Sequence, residues 1–234
     1  MLSASAPSPT PALHAYVGTY APRGGGLHAL TLAAVPPALA GLPRVADEHS
    51  PTWLCVDAAR QRLHAVHELY RRPSDGHGRL SSFEILPDGG LRLLGSVDSG
   101  GCRPVHLSLH PGGRHAFVAH HDSASVAVLA VEPDGRLGAV LDVRHSAEAF
   151  AAGEAALGPA QAERAPPGSF ACSGHDAPHA HMALPDPRGD IVLSTDLGLD
   201  ALIAWRFDAV SGRLLSPRRV QLSPGAGPRH LVFH

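Results

Sequence analysis

The chain has 234 residues, of which 44% are hydrophobic and 17% are charged, and its formal net charge is −2. This composition is sufficient for a hydrophobic core and excludes a disordered chain. The near-neutral balance lacks the basic surface that binds nucleic acids or anionic membranes, and there is no run of about 18 apolar residues to form a spanning helix. We therefore expect a globular protein whose partners are neither nucleic acids nor membranes.

Residues 1–13 are predicted to be a flexible lead. They begin MLSASAPSPTP, which has neither the basic start nor the apolar stretch of a secretory signal. The three cysteines, Cys55, Cys102 and Cys172, are odd in number and widely spaced, so they match neither a disulfide framework nor a zinc motif. These features predict reduced thiols and a cytoplasmic location.

Two long stretches have some helical character, Pro36–Leu42 and His145–Glu163. The first is bounded by proline, and the second is rich in Ala and Glu but is interrupted by two glycines and a proline. The second stretch therefore predicts a surface insertion, rich in Ala, Gly and Pro, at about 145–176, with one or two turns of helix.

The rest of the chain is a repeat of short apolar segments bounded by Gly, Pro and Asp. Each unit has a strand, a tight turn and a second strand with a polar end, followed by a further hairpin. The units begin PTWLCVDAARQRLHAVHE at Pro51, PVHLSLHPGGRHAFVAHH at Pro104 and HAHMALPDPRGDIVLSTD at His179, and PRHLVFH at Pro228 starts the unit again.

The repeat predicts an all-β fold, a β-propeller of four-stranded antiparallel blades over residues 14–234. Pro51 and Pro104 are 53 residues apart, close to the length of one blade, and a four-stranded sheet buries both faces only by stacking against others around an axis. The first strand of each unit should be innermost. A β-sandwich is the alternative, since it also has short strands with regular turns.

The length predicts about four blades plus the first strand of another, whereas seven blades need more than about 300 residues. We therefore expect an incomplete propeller, truncated at the C-terminus. The strand from Arg229 to Phe233 should then expose an open edge through which the fragment self-associates.

Several motifs resemble the lactonase family of seven-bladed propellers, which includes propeller-type 6-phosphogluconolactonases and carboxymuconate-lactonizing enzymes. The motifs are YVGTY at Tyr16–Tyr20, PHAH at Pro178–His181, TDLGLD at Thr195–Asp200 and GPRHLVFH at Gly227–His234. The chain departs from the family pattern in having His120 and His121 where an Asn-Tyr pair is usual. It also lacks the acidic residue that the pattern would place near position 245.

The resemblance implies a lactone hydrolase that acts on a small sugar lactone, converting 6-phosphoglucono-1,5-lactone to 6-phosphogluconate in the pentose phosphate pathway. It implies no cofactor and no required metal. A carboxymuconate cycloisomerase is one alternative, and a non-enzymatic propeller scaffold or inactive fragment is another, because fold alone does not decide function. We expect weak lactonase activity from an incomplete propeller.

The residues that fit this chemistry lie in the PHAH, DLG and GPRH motifs. His179 and His181 are two apart, so on a strand both side chains share one face, and neutral His is a natural base. We expect His181, 48 residues before Arg229, to be the general base, with Arg229 and His179 stabilising charge. Asp196 either orients a His or begins the turn into Gly198.

Three further residues are predicted to bind substrate. Arg103 precedes an innermost strand and could contact a phosphate, and the alternative is a solvated surface position. Glu68 ends the strand that corresponds to the one ending at Asp196, and His230 alternates to the face opposite Arg229. Two histidines on one face with a carboxylate could also bind a metal, although the resemblance implies none.

Overall fold

The computed structural model describes residues 13–20, 26–32, 39–46, 50–72, 74–151, 163–167 and 174–234. Most of the predicted lead and parts of the predicted insertion lie outside these residues. Within them, the insertion begins with a 3-10 turn at Ser146–Ala149. No helix among the described residues is long and apolar enough to cross a membrane.

Fifteen strands form four antiparallel sheets in the described part of the chain. Sheet 1 contains β1 (Leu13–Thr19), β2 (Gly26–Leu32) and β3 (Leu39–Ala46). Sheet 2 contains β4 (Pro51–Asp57), β5 (Arg62–His67), β6 (Arg79–Ile85) and β7 (Leu91–Asp98). Sheet 3 contains β8 (Pro104–Leu109), β9 (His115–His120), β10 (Ser125–Val131) and β11 (Leu137–His145). Sheet 4 contains β12 (Ala180–Pro185), β13 (Ile191–Asp196), β14 (Ala201–Asp208) and β15 (Arg213–Gln221).

The sheets follow one another as propeller blades. The first strands β4, β8 and β12 contact each other in succession, and the last strands β7, β11 and β15 do the same at the periphery. This arrangement confirms the all-β propeller with the first strand of each unit innermost, and it differs from the two face-packed sheets of a sandwich. The possible helix at Pro36–Leu42 was wrong for residues 39–42, which begin β3, since β2 supplies a hydrogen-bonding partner there.

Burial between the sheets explains why the middle strands are almost continuously apolar. Phe117 of sheet 3 packs edge-on against Phe207 of sheet 4, with ring centroids 4.9 Å apart, in a cluster that also holds the buried Trp205. Sheets 2 and 3 share a second cluster, and Leu27 of sheet 1 packs with Leu63 and Phe83 of sheet 2 in a third. Each sheet therefore depends on its neighbours for its core.

A register shift recurs near the start of every innermost strand of the four-stranded sheets. Pro51 pairs with His67, Pro104 with His120 and Ala180 with Asp196, and in each case the residue that follows the first member is skipped in the pairing. This confirms that Pro51 and Pro104 are equivalent. The skipped residues are Thr52, Val105 and His181. A bulge of this kind re-aims a side chain out of the sheet.

The segment that begins the repeat again, residues 228–234, contains no strand in the described structure. It lies against sheet 4 instead, where the Leu231 N–H contacts Met182 Sδ of β12 at 3.2 Å and the Thr195 hydroxyl of β13 donates to the Arg229 carbonyl at 2.9 Å. A strand ladder needs a second strand, and no described strand pairs with this segment. The two backbone contacts above are made by the side chains of Met182 and Thr195. The predicted self-association through this segment stays a prediction.

Three of the buried histidines, His64, His106 and His120, have pKa values that lie well below the ordinary value of about 6.5. Burial holds the pKa of His64 and of His120 at about 4 and that of His106 at about 3, because an imidazolium would lose its hydration there. His120 is well satisfied when neutral, since Nε2–H donates to the Ser99 carbonyl at 2.9 Å and Nδ1 accepts from Ser125 Oγ at 3.2 Å.

We predict that the free energy of unfolding falls as the pH is lowered from about 6.5 to about 5. In this window the histidines of the unfolded chain, with pKa values near 6.5, bind protons, whereas the three buried histidines of the folded chain stay neutral. The unfolded state is therefore stabilised relative to the folded state as the pH falls. Urea unfolding at pH 7, 6 and 5 measures the effect. His120→Gln should flatten the dependence relative to the exposed control His234→Gln, and equal stabilities of the unsubstituted protein at pH 7 and pH 5 would contradict it.

Candidate functional site

The loops at one end of the central channel bring most of the predicted site residues together. They come from the segment that precedes each innermost strand and from the turn that follows each second strand. Contacts link them in two groups, one from Glu68 to Arg103, Asp122 and His121 and through stacked rings to His179, and the other from His181 to Arg229 and His230. We call these eight residues the channel-end cluster.

His181 is the residue skipped at the bulge of β12. The Met182 N–H donates to the side-chain Oγ1 of Thr195 on β13 at 3.1 Å, and the same hydroxyl donates to the Arg229 carbonyl. One hydroxyl therefore holds both segments, and Arg229 Nη1 lies 3.4 Å from His181 Nε2. The predicted base and the predicted anion binder are in contact.

The electrostatics of this pair keep His181 neutral. Burial, and then the positive charge of Arg229, lower the pKa of His181 to about 4. Its Nδ1 is buried without a hydrogen-bond partner, and Nε2 is the acceptor that faces the guanidinium. At neutral pH the lone pair of the imidazole therefore lies at Nε2, beside the Arg229 cation.

Arg229 is exposed and open to an anion. Among the described residues no carboxylate lies within 4.0 Å of its guanidinium, in contrast to most other arginines of this end of the channel. The His230 ring meets the His181 ring edge-on at 5.1 Å and is stacked near Trp53 at 6.2 Å. His230 thus lines the channel beside the pair.

His179 has a different environment from His181. Its ring stacks on His121 with centroids 4.0 Å apart, Nδ1 lies 3.0 Å from the His121 carbonyl, and Nε2 lies 2.9 Å from Asp176 Oδ1. Both ring nitrogens are engaged with oxygen acceptors, so neither is free to take a proton from water. His179 forms a wall of the site, and its predicted role in stabilising charge stays a prediction.

Asp196 combines the two alternatives that the sequence left open. Its Oδ1 accepts the N–H groups of Gly198 at 3.1 Å and Leu199 at 3.0 Å, which caps the turn, and the His179 N–H at 2.9 Å, which holds that residue by its backbone. The carboxyl group is completely buried, and burial raises its pKa. It acts on the position of His179 rather than on its ring.

Glu68 and Arg103 form an ion pair at the rim of the channel. Glu68 Oε1 accepts from Arg103 Nε at 3.0 Å, and Oε2 accepts from the Tyr20 hydroxyl at 2.7 Å. Burial and the Glu68 carboxylate raise the pKa of Tyr20 to about 12. Arg103 also lies 3.5 Å from Asp122, so two carboxylates already share the guanidinium that was predicted to contact phosphate.

The strand pairing corrects one equivalence. Glu68 was expected to correspond to Asp196, but His67 pairs with Pro51 as Asp196 pairs with Ala180, so His67 is the counterpart. Glu68 follows one residue later and corresponds to His121. His67 is buried and its Nε2 lies 2.8 Å from Ser81 Oγ.

Sequence reasoning missed His121, Asp122 and Asp176 as members or neighbours of the site. His121 occupies the position of Glu68 one blade further on, and His179 occupies that of Arg103, so the contact of Arg103 with Glu68 is repeated as the contact of His179 with His121. This equivalence was visible in the aligned repeats and is the signal that could have found His121. Asp176 has no counterpart in the repeat.

One group of side chains in the described part of the chain has metal-ligand spacing, Asp75, His77 and Asp98, whose ligand atoms lie within 4.8 Å of one another. The Arg72 guanidinium pairs with both of these carboxylates, so a cation already occupies the position. The group lies outside the channel-end cluster.

Comparison with known proteins agrees with the fold and the motifs. A family model described as "Lactonase, 7-bladed beta-propeller" matches residues 14–234. A 6-phosphogluconolactonase of Bacillus subtilis is 27% identical over 94% of this chain and 56% of its own length. The structure of a Pseudomonas aeruginosa periplasmic gluconolactonase is 28% identical, covers 93% of this chain and 57% of its own, and has a TM-score of 0.74.

A solved structure from Bacteroides uniformis is 21% identical over 96% of this chain and 59% of its own, with a TM-score of 0.76, and it shows the same fold. The chain therefore spans a little over half of the length of each of these three proteins.

We predict that Arg229→Gln raises the pKa of His181 by about 1, because a like charge within hydrogen-bond distance is removed while burial is retained. Titration of the His181 ring by NMR measures the value directly. Arg188→Gln is the matched control, since Arg188 is exposed at the far end of sheet 4 and pairs with Asp186. An unchanged pKa in Arg229→Gln would show that the two side chains do not interact in solution.

Proposed function

The chain belongs to the seven-bladed β-propeller lactonase family, and from this premise we propose that its channel-end cluster binds and hydrolyses a sugar lactone. The substrate we propose is 6-phosphoglucono-1,5-lactone, and the product is 6-phosphogluconate. The observation that carries the proposal is the contact between the neutral imidazole of His181 and the exposed guanidinium of Arg229 at 3.4 Å. The name of the B. subtilis relative supports the choice of substrate.

The pair supplies the two groups that lactone hydrolysis needs. A water oxygen attacks the lactone carbonyl carbon while His181 takes a proton from that water. The carbonyl oxygen gains negative charge, which the Arg229 guanidinium stabilises. The bond from that carbon to the ring oxygen then breaks, and the ring oxygen receives the proton from His181. The product is an open-chain carboxylic acid, which releases its remaining acidic proton to solvent at neutral pH and becomes a carboxylate.

The two groups act on each other through charge. His181 with a pKa of about 4 is free of its proton at neutral pH but is a weak base. When an oxygen that is gaining negative charge lies against Arg229, the repulsion between the guanidinium and a protonated His181 is offset. The imidazole thus becomes more basic as the reaction proceeds, which is the stage at which a stronger base is useful.

The neutral state of His181 favours hydrolysis over cycloisomerisation. A carboxymuconate cycloisomerase would use the same pair to hold a carboxylate and to protonate the substrate, and for this His181 must carry a proton beforehand. With a pKa of about 4, only a very small fraction of His181 carries one at neutral pH. Hydrolysis needs the unprotonated form, which is the form that predominates.

The rim of the channel favours a second candidate substrate, a gluconolactone without phosphate. Arg103 is shared by Glu68 and Asp122, and Arg71 pairs with Asp122 at 2.9 Å, so a phosphate there must displace a carboxylate. The P. aeruginosa relative is named a periplasmic gluconolactonase. Under the first proposal the product feeds the pentose phosphate pathway in the cytoplasm, and the free thiols of Cys55 and Cys102 are consistent with that location.

We predict that His181→Gln lowers kcat/KM for lactone opening by roughly 10²–10⁴, the usual effect of losing a general base. The assay follows acid release in a pH-stat, with the spontaneous rate subtracted, for glucono-1,5-lactone and its 6-phosphate. His110→Gln is the control, because His110 follows β8 at the opposite end of the blade. No turnover of either lactone above the spontaneous rate would overturn the proposal, and the ratio of the two substrates decides between the two candidates.

A further prediction concerns the acid side of the pH profile. Protonation inactivates His181 as a base, and its pKa of about 4 keeps it unprotonated well below neutral pH. We expect kcat/KM to stay level from pH 7 to about 5 and to fall as the pH approaches 4, since this constant reports the free enzyme. A decline centred near pH 6.5 would contradict the assignment.

A further inference from the structure

Asp200 is a buried carboxylate outside the channel-end cluster that joins three segments of the chain. Its side chain is completely buried. Oδ1 lies 2.9 Å from His175 Nε2 and 2.7 Å from the Gly227 nitrogen, and Oδ2 lies 2.8 Å from the Gly225 nitrogen. His175 is itself only 3% exposed. The arrangement uses both carboxylate oxygens with N–H donors, as a buried carboxylate requires.

Two of these segments lead to the proposed catalytic pair. His175 lies four residues before His179 and six before His181, and Gly227 lies two residues before Arg229. Asp200 itself ends the turn that begins at Asp196. A carboxylate at this point therefore fixes the distance between the loop leading to His181 and the loop leading to Arg229.

The turn itself does not require a carboxylate at this position. Asp200 has a φ of 49°, and its counterpart in sheet 3, Ala124, has a φ of 46°. Both residues immediately precede the third strand of their sheets, and the backbone carbonyl of each accepts an N–H, from Leu222 and Ser146 respectively. Alanine makes the same left-handed turn, so the side chain of Asp200 serves the neighbouring loops instead.

We propose that Asp200, through its hydrogen bonds to His175, Gly225 and Gly227, is a positioning residue that sets Arg229 against His181. The inference rests on the proposed function for its catalytic meaning, but its structural content can be tested without substrate. The Coulombic effect of losing the Asp200 charge would lower the pKa of His181. Displacing Arg229 would raise that pKa, so the direction of the change identifies the cause.

The test is an NMR titration of His181 in four proteins: the unsubstituted chain, Asp200→Asn, Arg229→Gln and the double variant. In Asp200→Asn an amide N–H₂ replaces one of the two acceptors, and we expect the pKa of His181 to rise by more than about 0.5. In the Arg229→Gln background the same substitution should cause no further rise, because it acts through Arg229.

Asp200→Ala is a second test variant in case the Asn variant does not fold, since Ala124 shows that alanine fits the turn. Asp208→Asn is the control, because Asp208 caps a turn at the far end of sheet 4 through the Val210 N–H and the Ser211 hydroxyl. His175→Gln keeps an N–H donor to Asp200 and should retain the unsubstituted pKa of His181, whereas His175→Leu should raise it. Circular dichroism identifies the variants that retain their strands.

A fall or no change in the pKa of His181 in both folded Asp200 variants would overturn the inference, as would equal rises in the presence and absence of Arg229. If the chain hydrolyses lactones, Asp200→Asn should also lower kcat by roughly 10–100-fold, because small misplacements of a catalytic group are costly. A rise in the pKa of His181 in a protein without lactonase activity would uphold the positioning role and overturn the proposed function alone.

Discussion

The interaction on which the site depends is the hydrogen bonding of the Thr195 hydroxyl. At the bulge that begins β12, Thr195 Oγ1 accepts the Met182 N–H while donating to the Arg229 carbonyl. A buried hydrogen bond is costly to leave unmade, so this one hydroxyl stabilises the start of β12 and residues 228–234 against each other. The consequence is that His181 projects from the sheet at the point where Arg229 passes.

In the part of the chain that the structure describes, the charges around this point leave the Arg229 guanidinium without a carboxylate partner. Glu68 and Asp122 are neutralised by Arg103 and Arg71, Asp176 is paired with His179, and the buried carboxylates accept backbone N–H groups, three in Asp196 and two in Asp200. None of these groups competes for Arg229. Among the described residues, the end of the channel thus presents one guanidinium without a carboxylate partner, and a guanidinium is suited to an anionic group or to an oxygen that becomes anionic.

The fold could be predicted from the sequence because the pattern of apolar strands that determines it is periodic. Repeated apolar strands at one spacing can be buried only by stacking equal sheets. The candidate site was harder to predict, since its contacts join residues that are distant in sequence and depend on the register of the strand pairing. The skipped residue in β12 decides that His181 meets Arg229 while His179 meets His121. A strict alternation places both histidines on one face, and only the pairing of Ala180 with Asp196 shows why they differ.

The same comparison explains how a repetitive fold provides an asymmetric site. The bulge presents Thr52, Val105 and His181 at equivalent positions, and the residues just before the innermost strands are Ser50, Arg103 and His179. The backbone frame is the same in each blade, whereas the side chains differ in charge and in hydrogen-bonding capacity. These equivalent positions lie at the same end of the channel in neighbouring blades. A substitution at one of them therefore changes the chemistry at that end without altering the core. The residues that we propose for function are therefore found where equivalent positions of the blades carry different side chains.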